Sequence, residues 1–174
     1  YTLDSKGELL ITIMSSIAQE ESRSISENVT WGQRKRFSDG KVSLPYKKFL
    51  GYEKGEDGKP KIIQEQAEVV RSIYEQYLSG ASLRMIKDRL EMEQIPNVTG
   101  GSQWTITAIR SILTNEKYCG DVLLQKTYIS DCISRKVIRN TGQLPMYLVQ
   151  NHHEGIVERK TFDAVQAEIC LLYT

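Results

Sequence analysis

Residues 80–126 read GASLRMIKDRLEMEQIPNVTGGSQWTITAIRSILTNEKYCGDVLLQK. Two amphipathic helical patterns, joined by a turn-rich loop, lead directly into a strand pattern. In the first, Leu83, Ile86 and Leu90 recur at helical spacing, with Arg84, Lys87, Asp88 and Glu91 on the other side. Ser82 is placed to cap its start. Pro96, Asn97, Gly100 and Gly101 then break the helix. In the second, Ile109, Ile112 and Leu113 share a face, Thr107, Arg110, Ser111 and Thr114 fall elsewhere, and Thr105 can cap. Short polar side chains and one arginine beside a thin apolar stripe suit a helix that packs on one side and touches a polar partner on the other. A helix lying in a DNA groove needs that composition. On periodicity alone, two helices packed in a mixed domain is the commoner arrangement. The loop of about ten residues also exceeds the ~3–4 residue turn of a standard helix-turn-helix, so the pair would be an expanded variant.

Working outward, residues 66–78 predict a helix with Ala67, Val70, Ile73, Tyr74 and Tyr77 on one face, stopped by Gly80. Residues 51–54 and 61–63 flank a Glu56-Asp57-Gly58-Lys59 turn and predict a short hairpin. Residues 34–49 are basic, punctuated by Gly40 and Pro45, and read as a linker or arm. At the N-terminus, Ser5 and Glu8 have the form of a capping box. A helix running to about Arg36 should follow, and ~30 residues of helix span roughly 45 Å. Its apolar stripe of Leu10, Ile13 and Ile17, with Met14 beside it, calls for a partner or a second copy. On the other side, residues 122–129 predict a strand, 130–144 a polar basic loop or hairpin tip, 146–149 a second strand and 156–157 a third. Residues 158–172 predict a terminal helix with Phe162, Val165 and Ile169 inward. The expected fold class is α+β, mostly helical. A long N-terminal helix precedes a mixed domain with a helix-turn-helix-like pair and a small antiparallel sheet.

A chain of 174 residues suits one domain, or one domain with an appended element. No run approaches the ~18 apolar residues of a membrane span, and no secretory signal pattern is visible. Tyr1 and the apolar end at residues 169–173 read as a piece of a longer protein. The net charge of +1 argues for no partner, but its distribution does. Between residues 34 and 48, Arg34, Lys35, Arg36, Lys41, Lys47 and Lys48 face the single anion Asp39. A second excess lies at Arg135, Lys136 and Arg139. Local basic clusters on a neutral chain fit a nucleic-acid face, although charge runs are more often solvated linkers.

Cys119, Cys132 and Cys170 are isolated and odd in number, which points to free thiols in a reducing cytoplasm and against a zinc site. His152 and His153 lack further ligands nearby in sequence and read as structural. No cofactor is expected. Trp104 should plug the junction of the helix pair with the body, Trp31 should pack, and Asn115 should cap the second helix at its C-terminus. Tyr118 and Gly120 read as a helix-to-strand joint.

Taken together, ordered pieces of the chain match a known pattern. Residues 16–26 (SIAQEESRSIS) resemble the last long helix of the serine recombinase catalytic domain. Pro45, Gly51-Tyr52, residues 67–74 (AEVVRSIY) and Gly80-Ala81-Ser82 leading into Ile86 and Leu90 follow. So do Trp104, residues 112–121 (ILTNEKYCGD), residues 153–157 (HEGIV) and Phe162. This series resembles the recombinase domain of the large serine recombinases, also called serine integrases. The resemblance implies a connector helix over 1–36, a basic linker over 37–50 and a DNA-binding domain over 51–174. It implies a parent protein in the bacterial cytoplasm that integrates or excises a mobile element. It places the serine nucleophile in a separate domain, so no catalytic residue is expected here. The implied partner is double-stranded attachment-site DNA, with self-association through the N-terminal helix. The long helix would cross the minor groove, and the mixed domain would read the major groove. Arg34, Lys35, Arg36, Lys41, Lys47 and Lys48 are the expected phosphate contacts, because phosphates set position and base edges set sequence. Gln103, Thr105, Thr107, Arg110 and Ser111 are expected groove contacts, and Arg135, Lys136 and Arg139 contacts from the loop. The competing readings are a transcription-factor-like DNA module and a helical protein-interaction module.

Overall fold

The computed structural model describes residues 5–42, 44–56, 58–130 and 136–172. The chain divides into two compact units, residues 1–42 with 124–147, and residues 43–123 with 148–174.

The first unit opens with α1, Ser5–Ser38, 34 residues long. The helix runs through Gly32, and local bonds sustain it. Thr12, Ser16 and Thr30 hydroxyls donate to the carbonyl four residues back, and Arg23 pairs with Glu27 at 3.0 Å. The expected capping role of Ser5 falls on a side chain outside the described set. Leu9, Leu10, Ile13, Met14 and Ile17 are all at least 49% exposed. Trp31 does not pack as expected: it is 65% exposed, with Lys35 Nζ 5.3 Å from its ring centroid.

The same unit contains a hairpin. The predicted strand over 122–129 is broken into β3, Val122–Leu124, which begins in the second unit, and β4, Thr127–Ile129, in the first. Gln125 takes a positive φ of 64°, so an extended run cannot pass through it. The polar stretch that follows contains a strand, β5, Val137–Arg139, which pairs antiparallel with β4. Asn140 staples the base of this hairpin. Its amide donates to the Gln125 and Leu144 carbonyls at 2.9 and 2.8 Å, and its Oδ1 accepts from the Gly142 and Leu144 amides.

The second unit holds the core. A 3-10 turn at Tyr46–Lys48 leads into Phe49 and Leu50, which are buried although the stretch reads as linker. Strands β1, Tyr52–Lys54, and β2, Pro60–Ile62, form the expected antiparallel hairpin. Helices α2, Gln64–Leu78, α3, Leu83–Met92, and α4, Ile106–Leu113, follow. Strand β6, Tyr147–Val149, pairs with β3, and α5, Arg159–Leu172, closes the chain. The sheet content is therefore three two-stranded ladders among the described residues. Ile156 and Val157 form no strand; they are buried apolar plugs in a bend.

The predicted faces form the core. Ala67, Val70, Ile73, Tyr74 and Tyr77 of α2 meet Ile86 and Leu90 of α3, Ile109 and Leu113 of α4, and Val165 of α5. Burying each of these large apolar side chains contributes about 1.5–3 kcal/mol. Buried polar groups are satisfied where the helices meet. Tyr74 donates to the Ile112 carbonyl at 2.9 Å, and Gln166 Nε2 to the Leu113 carbonyl at 2.7 Å. Those carbonyls lie at the end of α4, where a helix leaves acceptors unpaired. Phe49 stacks on Tyr52 at 4.5 Å, and the Tyr52 hydroxyl donates to the Glu154 carbonyl and accepts from Ile156 N. Burial raises the pKa of Tyr52 and Tyr74 well above the ordinary phenol value, so both stay neutral donors.

Candidate nucleic-acid interface

The helix pair is fixed by caps and one long-range carboxylate. Ser82 accepts from Met85 N, and Thr105 from Ala108 N, as the sequence predicts. The connection runs over residues 93–105, longer than expected. Glu91, read as solvent-facing, accepts from the Trp104 amide at 2.8 Å while Lys87 pairs with its other oxygen at 2.8 Å. Those two donors hold its carboxyl below the usual range, the Lys87 contact first. Trp104 is 3% exposed and its indole N–H donates to the Ile95 carbonyl, so it does plug the junction. Asn97, read only as a helix breaker, organises the loop. Its Oδ1 accepts from Thr99 N, the Thr99 hydroxyl and Gly101 N, and its Nδ2 donates to the Gln103 carbonyl at 2.6 Å.

This pinned loop and α4 enclose a groove of about 220 Å³. Lys48, Gln103, Thr105 and Ser111, four of the predicted contacts, line it together. Asn97, Thr99 and Asn115 join them, unanticipated. Asn115 does not end α4, whose last position is closed by Thr114; it caps the following 3-10 turn by accepting from Lys117 N. The floor is apolar, built from Leu50, Trp104, Ala108 and Ile112. None of the described lining residues carries a carboxylate.

On α4 itself the exposed positions are Ile106, Thr107, Arg110, Ser111 and Thr114. At 100° per residue these fall on one continuous arc, opposite Ile109, Ile112 and Leu113. Arg110 lies on that arc between Ile106 and Thr114, on the side away from Ser111. It lines a different, more apolar cleft of about 360 Å³ with Tyr77, Leu83 and Glu168. Arg110 therefore does not share the groove of Gln103 and Ser111.

In the other unit, Arg34, Lys35 and Arg36 are exposed on the last turn of α1, and Lys41 is exposed just beyond it. Cations there also complement the negative end of the helix dipole. Lys136 and Arg139 are exposed beside and on β5. The expected contact at Arg135 and the thiol of Cys132 lie outside the described residues, as does the side chain of Lys47.

The two histidine rings are bonded to each other and to the backbone. His153 Nε2 lies 2.8 Å from the Lys117 carbonyl, which fixes the proton on Nε2 and leaves Nδ1 to accept from His152 Nδ1 at 3.2 Å. Burial lowers both pKa values, so the pair is neutral at pH 7. No cluster of three or more His, Cys, Asp or Glu suited to a metal occurs among the described residues. No described helix is long and apolar enough to cross a membrane.

Solved structures share this fold. A chain in a crystal structure of an LSR–DNA complex matches with a TM-score of 0.58 at 22% identity, over 84% of this chain and 38% of that one. A chain from work on the sequence requirements of the Listeria innocua prophage attP site matches with a TM-score of 0.57 at 22% identity, over 82% and 51%. The present chain thus spans about 38% and 51% of the length of those chains. A search of curated proteins finds no match. The architecture is a mostly helical one with small β-hairpins, shared with those structures. The Recombinase family model matches residues 64–170, and the chain belongs to that family.

Proposed function

We propose that the chain is the DNA-binding portion of a site-specific serine recombinase, which grips attachment-site DNA while a mobile element is integrated or excised. The observation that carries this reading is the coincidence of the family match with one organised face. Residues 64–170 contain α4, whose exposed arc is polar apart from Ile106 and free of carboxylates, beside a groove rimmed by Lys48, Gln103, Thr105 and Ser111. Thr107 and Ser111 lie one turn apart on that arc, and Arg110 contacts DNA from the side of it away from Ser111. Of the two neighbouring structures, one is described as an LSR–DNA complex and one by the Listeria innocua prophage attP site.

In this reading residues 1–36 form the connector helix from a catalytic domain, 37–50 the basic linker and 51–174 the recombinase domain. Arg34, Lys35, Arg36, Lys41, Lys47 and Lys48 take phosphates, with Arg135, Lys136 and Arg139 adding contacts from the hairpin. Strand exchange belongs to the whole recombinase of a bacterial cytoplasm, and this portion supplies position. The exposed apolar stripe of Leu10, Ile13, Met14 and Ile17 supports self-association through α1.

A charge placed on the α4 arc tests the reading. Ser111→Asp should weaken binding to a random 30-base-pair duplex by about tenfold or more, because a carboxylate would then meet phosphate or acceptor-rich base edges. Ala164→Asp makes the same charge change on an exposed position of α5, which contributes nothing to the groove, and should leave affinity within about twofold. Fluorescence anisotropy at fixed salt reads both. Equal effects of the two substitutions would remove α4 from the interface.

A further inference from the structure

The groove beside α4 has a chemistry more specific than DNA affinity. Its rim is amide, hydroxyl and one cation, and its floor is apolar. A phosphate would find no use for the apolar part of the lining, to which Val98, Ala108 and Ile112 belong. In the major groove of duplex DNA, the one protruding apolar group is the C5-methyl of thymine. The residue at the rim best matched to the partner base is Gln103. A glutamine amide donates to adenine N7 through Nε2 and accepts from the adenine N6 amine through Oε1.

Gln103 is also held for such work. Its carbonyl accepts from Asn97 Nδ2 at 2.6 Å, and the next amide, of Trp104, donates to Glu91 at 2.8 Å. Trp104 in turn is anchored by its indole N–H on the Ile95 carbonyl at 2.9 Å. The backbone on both sides of an exposed side chain is thus pinned before any ligand arrives, which cuts the ordering cost of binding.

Resting on the DNA-binding reading above, we infer that this groove reads one A·T base pair: Gln103 contacts the adenine edge, the apolar lining at Val98 and Ala108 takes the thymine methyl, and Asn97 is the positioning residue that holds Gln103 in place.

The test is a binding selection with the full 174-residue chain from a duplex library carrying 20 randomised base pairs. Each thymine of the enriched sequence is then replaced singly by deoxyuridine, which lacks only the methyl. At one thymine the replacement should weaken binding about fourfold, the worth of one buried methyl group. Changing that A·T pair to G·C should cost wild type about tenfold or more. Gln103→Ala, which removes an exposed side chain that makes no hydrogen bond to the described residues, should melt as wild type does and lose most of that discrimination. Asn97→Ala should reduce it in the same direction. The inference is overturned if deoxyuridine is tolerated at every thymine, if Gln103→Ala keeps the full penalty, or if the library is bound without enrichment. Absence of any binding to the library would instead sink the DNA-binding reading beneath it.

Discussion

Alanine at Gly120 is expected to destabilise the folded chain by about 3 kcal/mol or more, the sum of a backbone and a packing cost. Gly120 joins the 3-10 turn to β3 at φ 90°, a conformation that L side chains rarely adopt. A Cβ there would sit 2.5 Å from the His153 carbonyl oxygen. The neighbours cannot withdraw cheaply, because the Gly120 carbonyl itself accepts from His152 N at 2.9 Å. Gly80 separates the two costs. It has nearly the same φ, 89°, but an added Cβ would meet nothing within 4 Å. Gly80→Ala should therefore cost only about 1 kcal/mol, the conformational part alone. Urea unfolding of the two variants gives the comparison. Equal losses would show that the approach of His153 to Gly120 is not a constraint on the fold.

Asp121→Asn is expected to cost about 2–3 kcal/mol at pH 7, with a loss that fades in acid. The Asp121 carboxylate is 3% exposed. It takes two bonds of 2.6 Å from the Arg159 guanidinium, and its Oδ1 also accepts from Asn151 N at 3.0 Å. The pair ties the start of α5 to the turn before β3. Arg159 is the main cause that holds the Asp121 carboxyl below the ordinary carboxylate value, with the Asn151 amide adding to it. The folded state thus binds this proton less tightly than the unfolded chain, whose aspartate titrates near ~3.9. Stability from the pair is complete above that value and is lost as pH falls through the depressed folded value. The gap between wild type and Asp121→Asn should accordingly be constant from about pH 7 to 5 and narrow below about pH 4. A gap that stays constant down to pH 3 would mean that the carboxylate charge contributes nothing.

The helices of the second unit were legible because their burial follows a 3.6-residue period. Every apolar position assigned to the inner face of residues 66–78 is buried, as are Ile86, Leu90, Ile109 and Leu113. Caps at Ser82 and Thr105 were legible because a cap is a local bond between neighbours in sequence. Strands were harder. The run over 122–129 has continuous β propensity, but one residue at positive φ, Gln125, divides it. β5 lies in a polar, basic stretch and exists because β4 offers a ladder, a fact that no single segment carries.

The candidate site was legible in its residue types and not in its grouping. Polar positions on α4 were visible as the remainder after its apolar stripe. That Lys48 lies with Gln103 and Ser111 depends on Phe49 and Leu50 entering the core, which the basic character of residues 34–49 concealed. Arg110 belongs by spacing to the same helix face, yet it lies on the side away from Ser111 and lines the other cleft. Asn97 and Glu91 were missed as organisers because their partners, Gln103 and Trp104, are six and thirteen residues away across a loop. An asparagine in a helix-breaking stretch three residues before a Gly-Gly pair is the only signal that pointed to such a turn.

The central claim, that this chain grips duplex DNA through its basic residues, is tested most directly by a salt series. Fluorescence anisotropy would follow the chain binding a random 30-base-pair duplex, beside a variant with alanine at Arg34, Lys35, Arg36, Lys41 and Lys48, all exposed. If those five cations contact phosphates, log affinity should fall with log salt in both proteins, and the slope of the variant should be shallower than that of wild type by about 4 to 5. No binding at low salt, or the same slope in both proteins, would contradict the account and leave the exposed stripe of α1 as the feature to explain.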